Sequence, residues 1–178
     1  MLKKILLGCG VLIGAVVVVT ILGLVYIGTM TPGTAVQPGE KVRKSFVAEM
    51  RELGVLEPDE ELRYFYSDGL LSLREGCYVL TDRALVVFVE EEIDPPMRLL
   101  FDQILRIECT YSDEFLYDSS VFVHYADEES EDEELASWVY VPLSTERGGD
   151  RRFLEALSAS TGVEVESVDE GEAWWEEE

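Results

Sequence analysis

Residues Ile5 to Gly28 form a run of twenty-four residues without one charged side chain, directly behind Lys3 and Lys4. A helix rises about 1.5 Å per residue, so such a run reaches about 36 Å, enough to cross a hydrocarbon core of about 30 Å with some tilt. The rest of the chain is polar, strand-like and acidic. The sequence therefore divides into a membrane anchor over residues 1–30 and one soluble domain. A cleaved signal peptide fits less well, because its apolar core spans about 7–15 residues before a small-x-small site. Here Gly33-Thr34-Ala35 follows a far longer run, and a lipoprotein site at Cys9 would leave only Ile5, Leu6 and Leu7 as the apolar core. Gly10 and Gly14 have the G-x-x-x-G spacing that lets two membrane helices approach, although glycine is common in such helices and the spacing alone implies no dimer. Orientation stays open: Lys3 and Lys4 lie on one side, Lys41, Arg43 and Lys44 further out on the other.

Charge bounds the partners. The chain has 14 bases, two of them Lys3 and Lys4, and 37 acids, all beyond residue 30, so residues 31–178 carry a formal −25. Such a field repels nucleic-acid phosphates and anionic lipid heads and favours solubility. Whether the acidity reflects a salt-adapted host stays open. Cys9 lies in the apolar run. Cys77 and Cys109 fall inside strand-like runs, where buried unreactive thiols are the rule, and spacing alone cannot pair them.

The soluble part reads as four stretches. Thr31–Gly39, with Pro32, Gly33, Pro38 and Gly39, is a linker. An amphipathic helix follows over about 40–53, with Val42, Phe46, Met50 and Leu53 at helical spacing, Glu40 and Lys44 placed to pair, and Gly54 at the stop. Its bases Lys41, Arg43, Lys44 and Arg51 either rest on lipid heads or form the solvated side of a helix packed on the domain. From Glu61 to Leu143 the wording turns to strands: Leu62–Tyr66, Leu70–Leu73 after a Ser67-Asp68-Gly69 turn, Cys77–Leu80, Ala84–Val89, Arg98–Phe101 after the break at Pro95-Pro96, Ile104–Cys109, Phe115–Tyr117, Val121–Tyr125 and Trp138–Val141. In Ile104–Cys109 the alternation sets Ile107 and Cys109 opposite Arg106 and Glu108. About seven short strands at this spacing argue for a sandwich or small barrel over alternating βαβ units. A closing helix follows, with Asp150 as its N-cap, Phe153, Leu154 and Leu157 as its apolar stripe and Gly162 at its end. Glu164–Glu178 holds eight acids and no base and reads as a solvated tail, in which Trp174 and Trp175 are either a docking element or fold back onto the domain.

Three passages carry a family resemblance: Tyr64-Phe65-Tyr66-Ser67-Asp68-Gly69, Tyr78-Val79-Leu80-Thr81-Asp82-Arg83-Ala84-Leu85, and Phe101-Asp102-Gln103-Ile104-Leu105-Arg106-Ile107. Together with the closing helix they resemble the pleckstrin-homology-like (PH-like) superfold in its bacterial membrane-associated members, over about 56–162. The resemblance implies a mainly β fold, a bent pair of sheets or partly open barrel of seven strands closed by a C-terminal helix, and a role in binding lipids, peptides or proteins. Fold analogy alone transfers no ligand. Lipid-binding members of the superfold present bases in the loop joining their first two strands, whereas Ser67-Asp68-Gly69 has none and Arg74 and Arg83 are isolated. Specific anionic-headgroup recognition is therefore not expected.

The remaining singular segment is 127–134, where Asp127, Glu128, Glu129, Glu131, Asp132, Glu133 and Glu134 supply seven acids in eight residues. It is either a solvated hairpin tip or a contact surface for a basic protein or peptide, and with Trp174 and Trp175 it makes the candidate partner contact. It lacks the D-x-[DN]-x-[DN]-G arrangement of a calcium loop. His124 is the only histidine, and no G-x-S-x-G, P-loop or cysteine–histidine metal spacing occurs, so no catalytic residue, cofactor or metal is expected. The sequence points to a single-pass, membrane-tethered, non-catalytic binding module, with a passive envelope spacer as the alternative.

Overall fold

The structure is a computed structural model and describes residues 14, 16–23, 31–69, 71–114, 117–126 and 137–168. The chain separates into a unit over Met1–Thr31 and a unit over Pro32–Glu178. In the first, residues 16–23 are helical, with Val16 to Val19, Ile21 and Leu22 exposed. The apolar run Ile5–Gly28 lies for the most part outside the described residues. Among the described residues no helix is long and apolar enough to cross a membrane.

The second unit is mainly β, with two sheets and a C-terminal helix. Its elements are β1 (Gln37–Pro38), α1 (Lys44–Glu52), β2 (Leu62–Tyr66), β3 (Cys77–Thr81), β4 (Ala84–Val89), β5 (Ile93–Leu100), β6 (Ile104–Thr110), β7 (Ser119–Tyr125), β8 (Ser137–Leu143), α2 (Gly149–Thr161) and β9 (Val165–Ser167). The first sheet has the order β1-β2-β3-β4-β5, the second β8-β7-β6-β9, and the two do not close into a barrel. All pairs are antiparallel except β6 with β9.

The first sheet is buried on both faces, which is why β3 and β4 read as unbroken apolar runs. Cys77, Val79, Val86 and Phe88 face Phe46 and Met50 of α1 and the Val55-Leu56 turn. Tyr78, Leu80, Leu85 and Val87 face Ile107, Val121, Val123 and Val141 of the second sheet, with Phe153, Leu154 and Leu157 of α2 closing that core. The layers run helix, sheet, sheet. Cys77 and Cys109 are free and buried in different clusters, and burial pushes the Cys109 thiol up to about 12.

One ion pair stitches the α1 side to the first sheet. Glu60, with a side chain only 1% exposed, takes Arg98 Nη1 at 2.5 Å. It also accepts from the Thr81 hydroxyl at 3.2 Å and the Glu57 amide at 2.9 Å. Thr81 in turn accepts from the amides of Arg83 and Ala84, so the leucine-threonine-aspartate-arginine turn is a structural device.

Several expectations are corrected. The helix expected over 40–53 starts at Lys44, because Gly39–Lys41 is a 3₁₀ turn followed by extended Val42 and Arg43. Glu40 and Lys44 are thus not one turn apart on one helix. Leu71 to Leu73 form no strand, and Tyr117 lies outside any strand while Phe115 and Leu116 fall outside the described residues. Pro95 and Pro96 do not break the chain before β5. They lie within it, tolerable because β5 is an edge strand whose outer amides need no partner. Asp150 is not the N-cap of α2. Gly148, left-handed, holds that place, and Asp150 is buried as the second residue of the helix, accepting from the Ser119 hydroxyl at 2.8 Å. Gly54 and Gly162, both at φ +75°, do terminate their helices as expected. The acidic tail is not wholly free of structure: Val165–Ser167 adds to β6.

Candidate functional site

The outer face of the second sheet has no described element packed on it, unlike that of the first. Register fixes what this face shows. Trp138 pairs with His124 and His124 with Arg106, giving one cross-strand row. Tyr140 pairs with Phe122, Phe122 with Glu108 and Glu108 with Glu166, giving the next. Alternation along each strand sends these residues to one side, opposite the inward-facing Val121, Val123, Val139 and Val141.

Three rings make an aromatic ridge on the β7–β8 half of the face. Phe122 meets Trp138 edge-on with centroids 5.4 Å apart and Tyr140 at 5.5 Å. Trp138 is 58% and Tyr140 42% exposed, so most of the indole and much of the phenol face water. The Tyr140 hydroxyl lies 3.4 Å from the Ser120 hydroxyl. Such a ridge is costly to leave wet and suits a ligand that covers it, and ring faces attract cations.

The β6 half of the face is ionic. Glu108 is almost fully buried although it points to the outer side, where alternation would expose it. Arg106 Nη1 lies 2.5 Å from its Oε1, and His124 Nε2 3.2 Å from its Oε2. Arg106 also donates from Nε to Glu166 Oε2 at 2.8 Å, with Nη2 at 2.6 Å from the same oxygen. The Glu166 carboxylate, followed by Glu108, holds the Arg106 guanidinium above its ordinary range. The buried state of Glu108 and the part of Glu166 escaped the sequence reading. The only available signal was an arginine, a glutamate and a histidine on adjacent strands, and that is meaningful only once register is known.

The seven acids Asp127, Glu128, Glu129, Glu131, Asp132, Glu133 and Glu134 lie outside the described residues. So do Trp174 and Trp175. The flanking strands end at the Tyr125–Ser137 pair, next to Trp138 and His124, so the acid run joins the face at its aromatic corner.

A second cluster closes one end of the sandwich. Tyr66 and Tyr78 stack with centroids 6.1 Å apart. The Tyr66 hydroxyl donates to Asp118, and the Tyr78 hydroxyl donates to Asp68 at 3.3 Å. Burial pushes both phenols well above their usual range and lifts Asp68 and Asp118 above the ordinary carboxylate range. These bonds tie β2 to Asp118, just before β7, and Asp68 to β3. The two arginines nearest the first-sheet loops are also engaged, Arg74 by Glu90 and Arg83 by Asp59. A cleft of 690 Å³ runs beside β2, lined among others by Pro38, Val47, Arg51, Leu62 and Tyr64, with the engaged Glu60 at its wall. Among the described residues no group of three or more histidine, cysteine, aspartate or glutamate side chains is arranged to hold a metal ion.

No protein-family model matches the chain, and no curated protein does. Among solved structures it is similar to a DUF1696 family protein with a pleckstrin-homology domain from Shewanella loihica, at 13% identity and a TM-score of 0.47, covering 72% of this chain and 99% of that one. It is also similar to a pleckstrin-homology domain from Shewanella amazonensis, at 13% identity and a TM-score of 0.45, covering 68% of this chain and 90% of that one.

Proposed function

We propose that the chain is a non-catalytic binding module of PH-like architecture, tethered to a membrane through the apolar run Ile5–Gly28, and that it takes a basic segment of a partner protein on the outer face of its second sheet. The observation that carries this reading is the ridge of exposed Trp138 and Tyr140 around half-buried Phe122, on the two strands that flank the acid run in sequence. Lysine or arginine side chains over such rings contribute about 0.5–2 kcal/mol each, more as water is excluded. A formal −25 on residues 31–178 raises the local concentration of cationic segments and rejects anionic ones. The same field opposes acidic lipid heads, and Arg74 and Arg83 are already occupied by carboxylates.

The test is titration of the purified chain with an arginine- and lysine-rich peptide of about a dozen residues, followed by tryptophan fluorescence. Trp138→Ala with Tyr140→Ala should weaken binding at least tenfold, about 1.4 kcal/mol, and raising salt should weaken it further. Equal binding by the double variant overturns the proposed surface. Tighter binding to phosphatidylserine vesicles than to the peptide overturns the partner class, and no binding at all favours the passive spacer.

A further inference from the structure

The second sheet ends in an arrangement unlike the rest of the fold. Beyond β6 the sheet is completed by a three-residue edge strand, Val165–Ser167, in the one parallel pairing among the described residues. They follow Gly162, which ends α2 at φ +75°, so the chain turns from the closing helix straight onto the sheet edge. Three features hold the segment. Val165 packs partly buried against the main core beside Ile107. The backbone contributes, with the Val168 amide donating to the Cys109 carbonyl at 3.0 Å. The third is the side chain of Glu166, gripped by Arg106 through Nε at 2.8 Å and Nη2 at 2.6 Å. Arg106 is itself set in place from behind by the buried Glu108. Beneath this short strand, β6 presents main-chain pairing groups, an apolar slot that Val165 fills and, next to it, a pre-oriented guanidinium. Those are the parts of a strand-addition site: main-chain bonds supply affinity and alternate side chains supply selection.

We propose that the edge of β6 is a docking site for an extended peptide bearing an aliphatic residue followed by an acidic one, and that the chain's own Val165–Ser167 is its resident occupant. This site is separate from the aromatic ridge and its basic partner, and either can fail without the other. A segment tied to α2 by three residues meets the edge at an effective concentration of about millimolar or above, so a free peptide competes poorly until the resident strand leaves. The acid in the ligand is selected by Arg106 at short range. Charges more than about 8 Å away are largely screened at 0.15 M salt, so the overall acidity of the chain does not forbid it.

The experiment uses the full chain at 0.15 M salt and a fluorescein-labelled peptide with the sequence of residues 163–168. Val165→Asp together with Glu166→Ala removes the slot-filling side chain and the gripped carboxylate, releasing the resident strand. The released variant should bind the peptide at least tenfold more tightly than the unaltered chain. Adding Arg106→Glu should abolish that binding and transfer preference to the same peptide carrying arginine at its fourth position. Equal affinity of released and unaltered chains, or equal affinity for the two peptides, overturns the proposal. A measurement without the peptide guards against a misfolded variant: Arg106→Glu alone should speed exchange of the Val168 amide at least tenfold, and Arg106→Glu with Glu166→Arg should restore protection. Unchanged protection in the single variant shows that the grip does not hold the strand and also overturns the proposal.

Discussion

Glu60 is where a single substitution should cost the fold most for its size. Its carboxylate, 1% exposed, accepts from Arg98 at 2.5 Å, the Thr81 hydroxyl at 3.2 Å and the Glu57 amide at 2.9 Å. Removing one partner of a buried, hydrogen-bonded ion pair costs about 3–5 kcal/mol, so Glu60→Ala puts about that much at stake. Arg98 keeps some water, at 23% exposure, and has Glu57 3.8 Å from its Nε, so its stranded charge is partly relieved. We expect a loss of about 3 kcal/mol, or roughly 10 °C in melting temperature for a unit of this size. Glu60→Gln keeps one acceptor but turns an amide donor toward either Arg98 or the Glu57 amide, and should cost about half as much. Replacing both partners, Glu60→Met with Arg98→Met, should cost less than Glu60→Ala, because no charge is left stranded. Urea unfolding followed by circular dichroism measures all three in the fragment 32–178. The reasoning is refuted if Glu60→Ala lies within about 0.5 kcal/mol of the parent, or if the double variant is the least stable of the set.

The fragment 32–178 should itself be soluble without detergent and show a β-rich circular dichroism spectrum, since its two cores are made within the unit; aggregation relieved only by detergent would contradict the division. Burial, only partly offset by the Tyr66 hydroxyl, lifts Asp118, and burial likewise lifts Asp68, so each binds its proton more readily folded than unfolded. Their cost to stability is absent below the ordinary carboxylate value of about 4 and accrues as pH rises from there through the folded one, so melting temperature should rise as pH falls through that interval. Asp118→Asn, which keeps an acceptor for Tyr66, should raise melting temperature at pH 7 and flatten that slope; a slope unaffected by the substitution rules Asp118 out as its source. Replacing Asp127–Glu134 with a short glycine–serine tip removes seven like charges, so melting temperature should rise at low sodium chloride and depend less on salt. An unchanged or lower low-salt melting temperature would mean that the acid run makes specific contacts.

What the sequence made legible was the part governed by short periods. Six of the seven long strands lie where apolar and aromatic runs place them, β5 being the exception because it starts at Ile93 and runs through both prolines, and α2 ends at Gly162 because a left-handed residue was needed there. The errors have a common cause, in that each depends on a partner distant along the chain. Leu70–Leu73 has strand-like residues but no strand beside it, and Leu73 is instead buried in the core under α1. Val165–Ser167 has no strand signal of its own, and its place is set by Ile107 and Arg106, about sixty residues earlier. Asp150 looks like an N-cap until Ser119 is brought beneath it. Glu108 and Glu60 read as two more acids among 37, yet both are buried, because Arg106 with His124 and Arg98 with Thr81 are delivered to them by sheet register. The aromatic corner was half legible: Trp138 and Tyr140 lie in the expected strand, but that their face lacks a described cover follows only from the layer order.

That layer order also explains how acid and aromatic groups can serve one purpose without sharing one position. The first sheet has α1 on its outer side, so its large side chains are committed to a core; the second sheet is where exposed rings survive. Four arginines of the folded unit are committed to carboxylates, Arg74 to Glu90, Arg83 to Asp59, Arg98 to Glu60 and Arg106 to Glu108 and Glu166. These pairings leave most of the acid surplus uncompensated, and a cationic segment approaching from any side is drawn in before it touches. Long-range attraction of this kind acts on the rate of encounter and fades with salt. In the proposed binding, contact with Trp138 and Tyr140 would act after arrival, over a few ångströms, and set how long the segment stays. On this division, neutralising Asp127–Glu134 slows association and leaves dissociation nearly unchanged, whereas removing the rings speeds dissociation and leaves the salt dependence of association intact.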